Sequence, residues 1–337
     1  MEGKRIVFTK PCVAELLDYE VKDPAENEVQ VRLAVSSVSS GTERANLTGS
    51  KTVVWHQAAS EAVFPRYGGY SSSGVIEKVG SKVKGYKPGD RVALWWSTHS
   101  SVQNISASKV CHIGDISFED AALFHIATFP LAAIRKCRLE IGESAIVMGM
   151  GMLGMVALQL LKAAGAVPII AVDPSPEKRA KALSFGADYA LDPYAEDFAE
   201  TAKKLTSGGA KVGIEVTGVG AGLNGILDCM ARFGRVALLG CTRESDFNVD
   251  YYRKVHGPGI TLIGAHTNAR PAHESRDGWW TQEDDIFALK KLTAMGRLKL
   301  SALIDETHSP NEATEIYARL ATEKTFPLVQ FNWRELK

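Results

Sequence analysis

The sequence predicts an α/β fold, a doubly wound parallel sheet preceded by a strand-rich segment. Three observations predict it. From about Phe118 onward, short apolar runs alternate with helical ones, the pattern of strands joined by crossover helices. A G-x-G-x-x-G stands where the first of those strands gives way to a helix, the context that gives this motif its weight. Up to about Ile116 the apolar runs are short and separated by turn signals, which reads as β structure.

The elements follow in order. Residues 28–35, 74–79 and 91–95 read as strands, with a turn at Lys87-Pro88-Gly89-Asp90. Residues 144–148 form a short buried strand, and 152–164 a helix that is apolar on most faces. Residues 168–172 are the next strand, and 176–185 a polar-faced helix running into Gly186-Ala187-Asp188. Further strands at 211–216, 235–239 and 260–263 each end at or beside a glycine. A polar loop, helices around 284–295 and 311–322, and a last strand at 327–331 complete the chain.

Composition narrows the function. A chain of 337 residues holds about two domains. Lys and Arg total 39 and so do Asp and Glu, so no basic footprint points to nucleic acid or an acidic membrane. The longest charge-free run, 144–161, is broken by Gly149, Gly151 and Gly154 and reads as strand plus helix rather than a membrane span. Five scattered cysteines without a CxxC pair suit reduced thiols. With no secretory signal at the first residues, a cytoplasmic protein acting on a small molecule is expected.

The glycine motif is Gly149-Met150-Gly151-Met152-Leu153-Gly154. Its first glycine permits a tight turn, its second lets backbone approach a pyrophosphate, and its third lets helix and strand pack closely. The amides of Met152, Leu153 and Gly154, at the helix start, then face the phosphates. Asp173 ends the next strand, near the expected offset of ~20 residues. A carboxylate there accepts hydrogen bonds from ribose hydroxyls and repels a 2′-phosphate, so NAD is expected and NADP less so. Lys178 reaches the same ribose, while Arg179 pulls the other way. Thr217, Gly218, Leu239 and Gly240 end later strands and are candidates to line the nicotinamide half. The plainer reading is that the glycines serve packing and Asp173 caps the following helix.

With those residues in hand, the chain resembles the medium-chain dehydrogenase/reductase superfamily nearly end to end. Residues 28–49 resemble that family's first catalytic segment. The most specific stretch is 69–92, containing Gly74-Val75-Ile76-Glu77-Lys78-Val79-Gly80 and Gly85-Tyr86-Lys87-Pro88-Gly89-Asp90-Arg91-Val92. The resemblance implies a GroES-like β-barrel catalytic domain, residues 1–122 completed by 267–337, and a Rossmann NAD domain at 123–266, with the cofactor cleft where the two meet. It also implies a homodimer or homotetramer, with coenzyme-domain sheets paired through 260–263.

The chain departs from the family at the zinc ligands. Where zinc members carry a cysteine, this sequence has Ser40, in Ser40-Gly41-Thr42-Glu43. Gly-His-Glu has become Gly69-Tyr70-Ser71, and the third ligand position falls near Phe124-His125. The four-cysteine structural lobe is reduced to Cys111. Serine and tyrosine replace thiolate and imidazole poorly, so no zinc is expected. A different set, His99, Cys111, His112 and His125, matches no familiar ligand spacing.

Without zinc, side chains must handle the substrate hydroxyl. Tyr70 stands at the former histidine position, Thr42 at the family's relay hydroxyl, and His125 is a base near neutral pH. Whether Tyr70 or His125 takes the proton stays open, and Tyr70 packed with its hydroxyl satisfied is the plainer reading. The loop from His266 through Asn268 and Arg270 to Trp279-Trp280 suits a polyhydroxylated substrate, with amide and guanidinium for hydroxyls and indole for the C–H face. Ser40, Trp95 (with Trp96) and His99 are candidates for the opposite wall. The reading is a zinc-independent NAD-dependent oxidoreductase of a secondary alcohol or ketone, a sugar, cyclitol or polyol. Its rivals are an NAD(P)H-dependent quinone or enone reductase and a non-catalytic dinucleotide-binding protein.

Overall fold

The strand-rich start of the chain builds two sheets. The structure is a computed structural model and describes residues 1–53, 62–243, 245 and 247–336. Its first strands are β1 (Glu2–Lys10), β2 (Val13–Glu20) and β3 (Glu28–Ser37), followed by helix α1 (Ser40–Leu47). Then come β4 (Arg66–Tyr67), β5 (Ser71–Val79), β6 (Arg91–Trp95), β7 (Val102–Ser106), β8 (Val110–His112), the short α2 (Phe118–Ala121) and α3 (Phe124–Lys136). The middle of the chain alternates: β9 (Ala145–Met148), α4 (Met152–Ala164), β10 (Ile169–Val172), α5 (Pro176–Ser184), β11 (Tyr189–Leu191), α6 (Phe198–Leu205), β12 (Ala210–Glu215), α7 (Gly220–Asp228), β13 (Met230–Leu238) and β14 (Thr261–Gly264). Helix α8 (Gln282–Ala294), β15 (Glu306–His308), α9 (Ala313–Thr322) and β16 (Val329–Asn332) close it.

Two compact units result, one of Met1–Ile126 with Lys299–Lys337, the other of Ala127–Leu298. In the first unit β1 pairs with β2 and β4, and a seven-stranded sheet runs β15-β16-β3-β5-β6-β8 with β7 also on β3. Its core gathers Phe8, Val31, Leu33, Ile76 and Leu94 from the strands with Ile316, Tyr317 and Leu320 from α9. The buried serines Ser37 and Ser71 both donate to the Ala122 carbonyl, at 3.0 and 2.6 Å. They anchor the chain just before α3, and so the place of His125.

In the second unit six parallel strands run β11-β10-β9-β12-β13-β14. Counted from β9 this is the order 3-2-1-4-5-6 of a dinucleotide fold, whose direction reverses between β9 and β12. Its strands are short and apolar because both faces are covered, with Ile146, Ile170, Val172 and Val236 in the core. Helix α5 starts where the sequence says it should: Pro176 sits in its first turn and the Ser175 hydroxyl accepts from the Lys178 amide at 3.2 Å.

Two elements go beyond the sequence reading. The β1–β2 hairpin was not marked by a strong turn pair, and β11 has only three residues at a partly exposed sheet edge, so no apolar run announces it. Two boundaries differ: residues 123–126, expected in the coenzyme domain, fall in the first unit. Residues 267–298, expected to complete the catalytic domain, fall in the second unit. The reason is charge and aromatic contact. Asp285 of α8 takes Arg135 of α3 at 2.8 Å, and Trp280 lies under the Arg135 guanidinium at 3.4 Å.

Charge also fastens β15 to α9. Glu306 accepts two bonds from Arg319, at 2.9 and 3.1 Å, and one from His308 at 2.8 Å, while the other His308 nitrogen donates to Glu312 at 2.8 Å. The Arg319 bonds pull Glu306 down to about 2. Burial opposes a charged His308, but the carboxylates of Glu306 and Glu312 outweigh it and raise its pKa. A raised native pKa stabilises fully below the unfolded value of ~6.5 and is lost as pH climbs through the native one. The melting temperature is therefore expected to fall as pH rises above about 6.5. His308→Gln should flatten that slope in a thermal melt; an unchanged slope would assign it to other groups.

Candidate active site

The glycine turn after β9 is shaped by what cannot fit. Gly149 has φ +102°, a left-handed conformation that favours glycine. A Cβ on Gly154 would lie 1.9 Å from the Gly149 carbonyl oxygen, so helix α4 can rest on the turn only because that atom is missing. Gly151 differs, since a Cβ there would meet nothing within 4 Å. Its small size leaves free space rather than relieving a clash. No side chain caps α4, so Met152, Leu153 and Gly154 present amides at its start. These are the features a pyrophosphate needs, and the residues fit a dinucleotide.

Asp173, after β10, is 6% exposed. One carboxylate oxygen accepts from the Met150 amide inside the glycine turn at 2.8 Å, the other from Ser175 at 2.9 Å. The charge therefore stands at the turn itself. Arg179 donates to the carbonyls of Asp173 and Pro174, both at 2.8 Å, and to Asp192 at 3.1 Å. Lys178 is partly buried beside it.

Glu215, at the end of β12, was not foreseen in the sequence. It is buried, and its carboxylate accepts from the amide and hydroxyl of Thr217 and from the amide of Gly218. Burial raises its pKa against those donors. Its backbone carbonyl accepts from Leu239 and Gly240 at 2.9 and 2.8 Å. One residue thus gathers Thr217, Gly218, Leu239 and Gly240 beside the Gly149 turn, where a Cβ would meet Thr217 at 3.0 Å. The signal for it was a lone acid at a strand end.

In the first unit Tyr70, Trp96 and His125 form an aromatic cluster. His125 meets the Tyr70 ring edge-on with centroids 5.3 Å apart, and the Trp96 ring at 4.5 Å. His125 is 1% exposed and Trp96 is 41% exposed. The Tyr70 phenol donates to the Ser39 hydroxyl, just ahead of α1, whose first turn carries Ser40 and Thr42. Trp95, expected on the substrate wall, is the last residue of β6 and is buried, while Trp96, just past the strand end with φ +59°, joins the cluster. His99 is also moved inward. It is fully buried, its Nε2–H donating to Glu43 at 3.0 Å and its Nδ1 2.7 Å from the Ser36 hydroxyl. Burial opposes charge on Glu43, but His99, Tyr317 and the Ser39 amide outweigh it and lower its pKa.

The polar loop of the second unit surrounds a cleft of about 550 Å³ lined by Asn268, Arg270, Glu274, Ser275, Arg276 and Trp279, among others. Arg270 donates to the Thr267 carbonyl at 2.7 Å and to Asp285 at 3.4 Å, so it shapes the wall. His266 accepts from the Asn268 amide at 3.2 Å. Burial, then Arg243 and Lys136, lower its pKa. The Lys136 ammonium lies 4.8 Å from the Trp279 ring and donates to Gly264 at 3.2 Å. Burial and then Arg270 bring it down to about 8.

Two family models match this chain. Residues 25–130 match the alcohol dehydrogenase GroES-like domain and residues 153–277 the zinc-binding dehydrogenase domain. The chain belongs to the medium-chain dehydrogenase/reductase superfamily. It is an alcohol-dehydrogenase-like oxidoreductase. It is 27% identical to D-guloside 3-dehydrogenase of Escherichia coli (strain K12) over 335 residues, 93% of this chain and 95% of that one. It is 28% identical to sorbitol dehydrogenase of Homo sapiens over 276 residues, 71% of this chain and 75% of that one. The solved structure of galactitol-1-phosphate dehydrogenase from Escherichia coli superposes with a TM-score of 0.84 at 20% identity, covering 98% of this chain and 99% of that one.

The residues present do not fit the family's zinc. At the positions that the resemblance assigns to the ligands stand the Ser40 hydroxyl, the Tyr70 phenol turned onto Ser39, and the neighbourhood of His125. Zinc takes Cys, His or carboxylate donors. Among the described residues no three His, Cys, Asp or Glu side chains group so as to hold a metal ion.

Two outcomes follow from the geometry. Gly154→Ala drives a methyl into the Gly149 carbonyl and is expected to weaken NADH binding by at least about tenfold, or about 1.4 kcal/mol, in a fluorescence titration. Asp285→Ala leaves Arg135 and Arg270 facing each other and should cost roughly 3 kcal/mol in urea unfolding.

Proposed function

We propose that this chain is an NAD-dependent dehydrogenase that works without zinc on a secondary carbinol of a sugar, cyclitol or related polyol. The observation that carries the coenzyme choice is the Asp173 carboxylate joined to the glycine turn at 2.8 Å. A fixed negative charge there favours ribose hydroxyls over a 2′-phosphate. Arg179, the residue that would argue for NADP, has its guanidinium engaged by two carbonyls and Asp192. Gly149, Gly151 and the amides opening α4 would hold the pyrophosphate, and Asp173 with Lys178 the ribose. A bound nicotinamide supplies a hydride acceptor or donor at its C4.

The proton falls to Tyr70. As the carbinol is oxidised, its O–H proton passes to the Tyr70 oxygen while the phenol hands its own proton to the Ser39 hydroxyl, to which it already donates. From that partly exposed hydroxyl a proton leaves to water, and ketone reduction runs the relay in reverse. His125, almost wholly buried against Tyr70 and Trp96, holds the phenol's ring in place. Thr42 in the first turn of α1 is a second hydroxyl for the substrate oxygen. The polyol preference is supported by the cleft at Asn268, Glu274, Ser275, Arg276 and Trp279, where hydrogen-bonding groups stand beside an indole. It is also supported by relatives named for D-guloside and sorbitol. The same polar lining suits a flat apolar quinone poorly. As in other oligomers of this fold, two copies would pair at the free edge of β14.

An absorbance screen at the NADH band tests the reading. Chelator-treated protein given NAD and a panel of sugars and cyclitols is expected to form NADH, and restored zinc should not raise the rate. Silence with polyols but turnover of enones would overturn it. Asp173→Ala should erode the preference for NAD over NADP by at least about tenfold, near 1.4 kcal/mol. Tyr70→Phe should lower kcat by about 10²- to 10⁴-fold with NAD affinity unchanged; full turnover would remove Tyr70 from the proton's path.

A further inference from the structure

Beneath Tyr70 lies a largely buried network of hydrogen bonds that meets the chemistry above only at Ser39. Its hub is Glu43. One carboxylate oxygen accepts from the Ser39 amide at 2.8 Å. The other accepts from His99 at 3.0 Å and from the Tyr317 hydroxyl. His99 continues to the Ser36 hydroxyl at 2.7 Å, which accepts from the Trp333 indole at 2.7 Å. Every member except Ser39 is buried. They come from β3, α1, the segment after β6, α9 and the C-terminal turn.

Two arms of this network end on Tyr70. The first runs through Ser39, whose amide is held by Glu43 and whose hydroxyl receives the phenol. The second runs through the backbone before the tyrosine. A Cβ on Gly69 would lie 2.8 Å from the His99 amide nitrogen and 2.9 Å from its ring, and one on Gly68 would lie 3.1 Å from a Glu43 carboxylate oxygen. The Gly68 carbonyl accepts from the His99 amide at 3.1 Å, and that of Tyr70 from the Trp96 amide at 2.9 Å. The imidazole is thus the floor on which Gly68-Gly69-Tyr70 lies, and Glu43 fixes the imidazole.

A buried charge is a weak device for stability alone, since apolar residues of like volume often serve as well or better. What it does supply is one defined arrangement of directional bonds. Here that arrangement terminates at a partly exposed phenol. We infer that Glu43 and His99 are positioning residues for Tyr70, linking its hydroxyl and main chain to the packing of Tyr317 and Trp333. The inference rests on the reading that Tyr70 serves the reaction, but the placement can be measured without turnover.

The test uses the full chain labelled with 3-fluorotyrosine and followed by ¹⁹F NMR. The Tyr70 resonance is assigned by its loss in Tyr70→Phe. Glu43→Gln, which keeps the shape and removes the charge, is expected to shift or split that resonance while exposed Tyr194 of the second unit stays put. Tyr317→Phe is the milder variant should Glu43→Gln fold poorly, and it should move Tyr70 in the same way. A Tyr70 resonance unmoved in the folded variants would overturn the inference. With a substrate from the polyol screen, Glu43→Gln is expected to lower kcat by about 10- to 100-fold with the KM for NAD within about twofold, and to add no further loss to Tyr70→Phe. Losses that multiply in the double variant would mark a general structural role and also overturn it. If Tyr70→Phe alone turns over normally while its resonance still responds to Glu43→Gln, the positioning holds and the proton role of Tyr70 falls.

Discussion

A carboxylate taken out of water must be supplied with donors, and this protein is organised around four that are. Glu43, Asp173, Glu215 and Asp285 are all buried. Each is satisfied by segments distant from it in the chain or by the backbone of a turn that must keep one shape. Asp173 reaches back to the glycine turn. Glu215 closes the Thr217-Gly218 turn at the neighbouring strand. Asp285 draws Arg135 and Arg270 together, and Glu43 collects His99, Tyr317 and Ser39. Removing any one would strand its donors, so these positions constrain the surrounding backbone more tightly than apolar packing would.

The consequence is preorganisation of both halves of the chemistry. In the second unit, β9 and β12 flank the point where strand order reverses. Their turns are fixed by Asp173 and Glu215, so the coenzyme loop needs little ordering on binding. In the first unit the hydroxyls of Ser39 and Tyr70 are arranged by a network that reaches to Trp333. The Tyr70 phenol and the Ser39 hydroxyl therefore do not sit in a loose site. The Glu43 carboxylate at the base of that network is met by the Ser39 amide, His99 and Tyr317.

Legibility followed the range of the interactions. Gly149, Gly154 and Asp173 were readable because strand, turn and helix are adjacent in sequence and the steric demand is local. That the strands run parallel followed from their alternation with helices; their order came from the structure. His99 and Trp95 were misjudged as wall residues because polarity and aromaticity say nothing about which side of a strand end faces inward. Arg270 was a candidate hydroxyl binder on side-chain chemistry, and the fold commits much of it to Asp285 and Thr267. Glu215 and Glu43 passed unremarked because their partners lie in turns or in segments separated by up to 274 positions.

The sequence by itself determined the α/β class and the glycine turn with its acidic partner. These depend on periodicity, on the missing Cβ of glycine and on residue type, all of which are local properties. Only the tertiary structure decided that Trp96 rather than Trp95 meets His125, that His99 is a buried partner of Glu43, and that the polar loop belongs with the second unit. Those outcomes depend on long-range pairing, in which a buried charge selects its donors from whatever elements the fold brings within hydrogen-bonding distance.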